Sequence, residues 1–246
     1  MQVIYGINPL LEMFHSHPAL LEKIIVAEGP ERGSVRKILK LAAENGVPVE
    51  STGRDRVEKL APCRVHQGIV GLCREHEYAT VDDVLANRHK GSRYSLVILL
   101  DSITDPQNLG SIIRTAHCCG VNGVIIPGNR SASVTATVAK ASAGAVYCLP
   151  TAMVVNLVRT IEYLKEKGFW IYGAAAESEV NIHAPDYEGD IGLVMGGESR
   201  GIRPLIRKKC DFLISIPMRG QVTSLNVSVA AGIIIHEIFR KRGDGS

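Results

Sequence analysis

The chain has 246 residues, room for one large domain or two modest ones, and 46% hydrophobic against 22% charged residues is the balance of a soluble globular protein with a real core. With 28 Lys and Arg against 25 Asp and Glu, the net charge of +3 is too small to establish nucleic-acid binding by itself. No apolar run reaches the roughly 18–20 residues of a membrane helix, and the start, Met1-Gln-Val-Ile-Tyr-Gly6, has no basic stretch followed by an apolar one as a secretory signal does.

Residues 1–73 alternate helix and strand signals. Asn8-Pro9 is a cap with a proline at the first helical position, followed by Leu10, Leu11 and Phe14. Lys23–Ala27 predicts a strand. Ser34 predicts a cap for a helix carrying Val35, Ile38, Leu39 and Ala42 on one face, with Gly46 at its left-handed stop. Val47–Glu50 and Gln67–Cys73 predict two further short strands, making a small α/β domain with no catalytic constellation. His66-Gln67-Gly68 fits a turn or an RNA contact. Residues 74–93 are polar, with little periodicity beyond Val81-Asp-Asp-Val-Leu85, and are expected to be a linker with one short helix.

Residues 94–246 repeat strand then helix. Leu96–Leu100 is apolar on both faces, as a central parallel strand is. A helix through Ile112, Ile113 and Ala116 follows, then a strand at Gly123–Ile126, and helices over 135–143 and 154–167. Strands at Phe169–Tyr172, Ile191–Met195 and Phe212–Ile216 and a closing helix from Leu225 to Lys241 complete the pattern. Apolar strands alternating with helices imply a parallel sheet covered on both sides.

The six cysteines, Cys63, Cys73, Cys118, Cys119, Cys148 and Cys210, form no Cys-x-x-Cys pair, which argues against zinc. Several lie in apolar runs and are expected to be buried thiols of a reducing compartment, which with the missing signal predicts a cytoplasmic protein without a membrane partner. Three basic clusters stand out: Arg200, Arg203, Arg207, Lys208 and Lys209; Arg88, Lys90 and Arg93; and Arg240, Lys241 and Arg242. The last is read as cations favouring a helix C-terminus. The first, beside strand-end motifs, fits a phosphate-facing role as well as a solvated face.

Strand ends carry the chemistry. In open α/β proteins ligands bind beyond the carboxyl ends of the strands. Here those ends are followed by Gly196-Gly-Glu-Ser-Arg-Gly201, by Ile216-Pro-Met218 and by Ser224-Leu-Asn-Val-Ser228. The glycine run has the wrong spacing for a dinucleotide fingerprint or a P-loop, and no His-x-x-x-His or Gly-x-Ser-x-Gly is present. Asp105-Pro106 marks a helix start with Asp105 or Asn108 as its cap. Arg114, inside an apolar helix just past a strand end, fits a surface residue or a bidentate phosphate ligand.

Asn108-x5-Arg114, Gly196-x-Glu198-x-x-Gly201, and Ile216-Pro217-Met218 with Ser224–Ser228 resemble, in order and spacing, the three motifs of the SpoU/TrmH family (SPOUT superfamily) of S-adenosylmethionine-dependent RNA ribose 2′-O-methyltransferases. The resemblance covers the whole of residues 94–246. Residues 1–73, with Tyr5-Gly-Ile-Asn-Pro9 and His66-Gln-Gly-Ile-Val70, are similar to the small L30e-like substrate-binding domain of some members. The resemblance implies an α/β architecture whose C-terminal parallel-sheet domain carries a trefoil knot, and a homodimer whose active site borrows from both chains. It further implies S-adenosylmethionine as methyl donor without a metal, since a sulfonium methyl is already activated.

By position, the resemblance puts the backbone at Gly196, Ile216 and Leu225 around the cofactor. It puts Asn108, Arg114, Glu198, Ser224 and Asn226 on the polar catalytic positions. Arg114 is the expected grip on the target phosphate, and Ser224 and Asn226 position the hydroxyl or simply cap a helix. Ser199 stands where many relatives carry glycine. The two-domain arrangement is similar to that of members methylating a guanosine ribose in bacterial 23S rRNA, so 23S rRNA or its precursor particle is the expected partner, in rRNA processing. A tRNA guanosine is the alternative substrate; a catalytically silent RNA-binding protein and a small-molecule α/β enzyme are the readings from other classes.

Overall fold

Two sheets divide the strands between them in a computed structural model that describes residues 2–16, 18–29, 33–61, 66–74, 76–197, 200–220 and 224–243. The first holds β1 (Gln2–Tyr5), β2 (Leu21–Ala27), β3 (Val49–Thr52) and β4 (Ile69–Cys73), with α1 (Ile7–Ser16), α2 (Gly33–Glu44) and α3 (Arg54–Leu60) between them. Its order is β1-β4-β2-β3; β2 and β3 run parallel and β4 is antiparallel to both of its neighbours. Leu10 of α1 and Ile38 of α2 bury against Ile24 on one face, and Val57 of α3 meets Ile25 and Val70 on the other. Of the two readings of His66–Gly68, the turn holds. Gln67 and Gly68 take φ of 55° and 78°, His66 is buried, and the Gln67 Oε1 accepts the Ile7 N–H at 2.9 Å. β1 and α3 were not foreseen. One is four residues long, and the other is polar except for Val57 and Leu60.

Much of the polar stretch after β4 is docked, not free. Ala79 bridges to Ala152, and α4 (Val81–Ala86) is opened by a reciprocal Thr80–Asp83 capping box and buries Val84 completely. Tyr147 packs against the cores of both sheets, and His76 and Tyr78 meet edge to face at 5.0 Å beside it.

The second sheet is wholly parallel, in the order β10-β8-β9-β5-β6-β7. In chain order its elements are β5 (Leu96–Asp101), α5 (Pro106–Cys118), β6 (Gly123–Pro127), α6 (Ala136–Ala141), β7 (Thr151–Val154), α7 (Leu157–Glu166), β8 (Trp170–Ala174), β9 (Ile191–Gly196), α8 (Pro204–Arg207), β10 (Phe212–Ile214) and α9 (Val227–Arg242). Ile112 and Ile113 of α5 and Ile234, Ile235 and Ile238 of α9 cover one face. Leu157, Ile161 and Leu164 of α7 and Val84 of α4 cover the other. The chain lays β6 and β7 to one side of β5 and β8, β9 and β10 to the other. The border of β5 and β9 is therefore where strand order reverses, the place a parallel sheet opens a crevice at its carboxyl ends.

Two expectations are corrected. The helix expected from Val154 begins only at Leu157, capped by Asn156, whose Oδ1 accepts the Val158 N–H at 2.9 Å, and Val154 instead ends the edge strand Thr151–Val154, paired with β6. A short apolar run carries either periodicity, and pairing decides it. The cysteines are mostly not buried: Cys73 is, Cys118 and Cys148 are exposed, Cys119 and Cys210 lie between, and Cys63 lies outside the described residues. Burial pushes the thiol of Cys73 up to about 12 and that of Cys210 to about 11, which leaves both unreactive at neutral pH.

Candidate active site

Asp101 closes β5 as the only charged residue of an otherwise apolar strand, and it is fully buried. A buried carboxylate needs partners. Here the Arg203 backbone N–H donates to Oδ2 at 2.8 Å and the Arg203 Nε to Oδ1 at 2.7 Å, while the Gly197 N–H donates to the Asp101 carbonyl at 2.9 Å. Gly197 and Arg203 are thereby pinned across the ends of β5 and β9. A second constraint is steric. A Cβ on Gly196 would stand 2.1 Å from the Gly201 carbonyl carbon and 2.2 Å from the Ile202 nitrogen, so the chain passes over itself at a distance only glycine permits.

This crossing forms one wall of a cavity of about 330 Å³ beyond the ends of β8, β9 and β10. Met195, Ile214, Ile216, Leu225 and Ile234 make it apolar, while Glu177, Arg200, Arg207, Ser215 and Ser224 supply its polar side chains. Arg207 pairs with Glu177, whose own backbone N–H and the Arg207 guanidinium hold its carboxyl below the usual carboxylate range. A second cavity of about 250 Å³ lies beside the first at the end of β5 and the start of α5, lined by Ser102, Ile103, Thr104, Asp105 and Asn108 and sharing Gly197 and Val227 with it. Asp105 caps α5, its Oδ1 accepting the Gln107 N–H at 2.9 Å, which leaves Asn108 to the cavity.

Gly196, Ile216, Leu225 and Ser224 thus meet in one cavity, and Asn108 lines its neighbour. Asn226 joins them from α9: its Oδ1 caps the helix by accepting the N–H of Ser228 at 2.9 Å, and its Nδ2 donates to Asn108 Oδ1 at 3.0 Å. Glu198 and Ser199 lie outside the described residues. Arg114 is not brought in: it lines neither cavity of its own chain, stands exposed on α5, and forms no ion pair among the described residues. Of the first basic cluster, Arg203 is spent on Asp101, Arg207 on Glu177 and Lys209 on Glu162, leaving Arg200 at the cavity. Asp101 and the Ala174–Glu177 lining were missed. An acid ending a run of buried aliphatics and small residues directly after a strand were the available signals.

The SpoU rRNA methylase family model matches residues 95–236, and the model for RNA 2′-O ribose methyltransferase substrate binding matches residues 3–79. The chain belongs to the SpoU (TrmH) family. As a SpoU-family protein it is an RNA 2′-O-ribose methyltransferase, and proteins named TrmH family tRNA/rRNA methyltransferases resemble it over nearly their whole length. One from Staphylococcus saprophyticus is 43% identical over 222 residues, 90% of this chain and 89% of that protein. YacO of Bacillus subtilis is 38% identical over 239 residues, covering 97% of this chain and 95% of its own. The fold is that of the SpoU methyltransferase AviRb from Streptomyces viridochromogenes, solved in complex with AdoMet, at a TM-score of 0.74 and 23% identity over 99% of this chain and 91% of that one. The TrmH/SpoU tRNA modifying enzyme of A. aeolicus matches at a TM-score of 0.57 and 32% identity, over 65% of this chain and 80% of that one.

Proposed function

We propose that the protein uses S-adenosylmethionine to methylate the ribose 2′-hydroxyl of a guanosine in 23S rRNA. The observation that carries this is the junction of the two cavities across Gly197 and Val227, one able to hold a methyl donor and the other a sugar. The first fits the donor in volume, in its apolar lining and in the bare backbone at Gly196, where any Cβ would collide. When bound, S-adenosylmethionine supplies an electrophilic methyl group. The chain's own contribution is geometry, and holding a hydroxyl in line with an acceptor position is worth several kcal/mol of barrier.

Asn108 is the group aimed at the sugar. Asn226, committed to capping α9 and to orienting the Asn108 amide, acts as a positioning residue instead of touching the hydroxyl itself. Ser224 lines the donor cavity beside that junction. Arg114 grips the target phosphate and stabilises the developing alkoxide. As a guanidinium that stays charged it is a poor base, so proton removal falls to another group. Because Arg114 stands outside both cavities of its own chain, it serves the site of a second copy. The exposed apolar side chains of α9, Val229 at 51% and Ile233 at 38%, support a homodimer contact.

The test is methyl transfer from labelled S-adenosylmethionine to purified 23S rRNA and to tRNA, with the product located by its resistance to alkali. Label at one 23S guanosine is expected. Label in tRNA alone would move the substrate, and cofactor binding without transfer to either RNA would leave a silent binding protein. Mixing Arg114→Ala with Ser224→Ala protein is expected to recover part of the activity each lacks; no recovery would reject the shared site.

A further inference from the structure

The loop 128–132 after β6 and the segment 153–155 ending β7 lie on the same carboxyl-end face as the two cavities and enter neither. The loop is pinned. Ala132 N–H donates to the Ile103 carbonyl at 2.7 Å and Ser131 Oγ to the same oxygen at 3.3 Å, so it is anchored to a residue that lines the second cavity. At its other end the Gly128 N–H donates to the Val154 carbonyl at 2.9 Å, which ties loop and β7 together. Between these anchors Arg130 is held at φ 58°, a conformation that disfavours any residue with a Cβ. It is exposed and has no ion pair among the described residues. Across the Gly128–Val154 tie, Met153, whose Sδ would stand 3.5 Å from a Cβ on Gly128, is 37% exposed and Val155 95%, and Val155 is fixed between a strand end and the Asn156 helix cap. Asp82 and Asp83 of α4, the helix packed on β6 and β7, are already bonded to Tyr163 and to Thr80.

The order of strands gives this rim its place. The donor cavity lies over β8–β10 and the sugar cavity over β5, so β6 and β7 continue the same line, and the span from β9 to β7 is about 14 Å at the usual interstrand spacing. An RNA strand whose reacting ribose sits over β5 finds one side taken by the donor and the other open along this rim.

We propose that the β6–β7 rim holds the RNA strand flanking the target nucleotide, with Arg130 on a backbone phosphate and Met153 and Val155 as an apolar platform for an unstacked base. This rests on the RNA-methyltransferase reading above. A cation over phosphate and an apolar surface under a base is the pairing single-stranded RNA requires.

The test measures binding of a fluorescent, mixed-sequence single-stranded RNA by anisotropy across a salt series, with calorimetric S-adenosylmethionine binding alongside. Arg130→Gly removes the cation and suits the left-handed backbone, so thermal stability stays level or rises. Its RNA affinity is expected to fall about tenfold, with a log–log salt slope shallower by about 0.7, the share of one phosphate. Arg130→Lys restores most of both. Val155→Ser weakens binding about threefold and leaves the slope unchanged. Wild-type affinity and slope in both Arg130→Gly and Val155→Ser would overturn the proposal. Variants that show these rim effects beside wild-type protein that transfers no methyl group overturn the enzyme reading and keep the rim. Wild-type protein that binds no RNA overturns both.

Discussion

The two ends of the parallel sheet differ in how fully their cations are engaged. At the amino ends every basic side chain with an assigned partner is spent on the protein itself. Arg242 donates to the carbonyls of Tyr187, Ser95 and Gly189, Lys241 to those of His183 and Pro185, and Arg88 to Asp190 and Ser95 Oγ. Arg240 pairs with Glu237. These staples fasten the end of α9 to the turns that precede β5 and β9. Around the carboxyl-end cavities and on the open face of α5, Arg200, Arg130 and Arg114 have no carboxylate partner among the described residues. Arginines that look alike in the chain, Arg200 beside Arg203 and Arg207, differ in what their guanidinium groups already hold, and that difference separates a structural cation from one with no carboxylate partner among the described residues.

The contrast breaks most decisively at Arg114. Arg114→Ala is expected to lower turnover about 10²–10³-fold, as loss of a charge-stabilising donor does, while unfolding free energy stays within about 0.5 kcal/mol. Single-turnover methyl transfer and a urea melt of the same sample check the two halves, and a destabilised yet active variant would reverse the assignment. Gly196→Ala comes next. Its Cβ must displace backbone 2.1 Å away, which is expected to cost about 1–3 kcal/mol and abolish calorimetric binding of S-adenosylmethionine.

Arg242→Ala is the mirror of Arg114. It loses its carbonyl bonds and should destabilise by about 2 kcal/mol, with cofactor affinity unchanged below the melt. The smallest effect is in acid. Arg240 first, then His183, hold the Glu237 carboxyl at about 2 against an ordinary 4.5. A lowered folded-state value stabilises above the unfolded one, so this contribution is complete above pH 4.5 and is lost as pH falls towards 2. Urea unfolding of Glu237→Gln is expected to show a flatter acid limb than wild type.

Legibility differed by element. The strand Leu96–Asp101 was readable because a central parallel strand is apolar on both faces, and the last helix because aliphatic residues return at helical spacing. The strand Thr151–Val154 was not foreseen, and its last residue was counted into the following helix, because four residues cannot declare a period. Gly196, Ile216, Leu225 and Ser224 were named from motif positions and share one cavity, whereas Arg207, drawn from the same basic cluster as Arg200, turned out to face Glu177. Asp101 went unassigned: an acid ending an apolar strand marks a position of interest, but its partner Arg203 lies 102 residues on and no local pattern names it.

Alone, the order of residues settled the alternation of strand and helix, the family, and which strand ends carry unusual chemistry, because periodicity, capping and motif spacing are properties of neighbours along the chain. Tertiary structure decided which side chains share a cavity, which arginines are already engaged, and that Arg114 lines neither cavity of its own chain. Those outcomes depend on contacts between residues as much as 147 positions apart, such as Arg242 and Ser95, and no local pattern encodes a partner that distant.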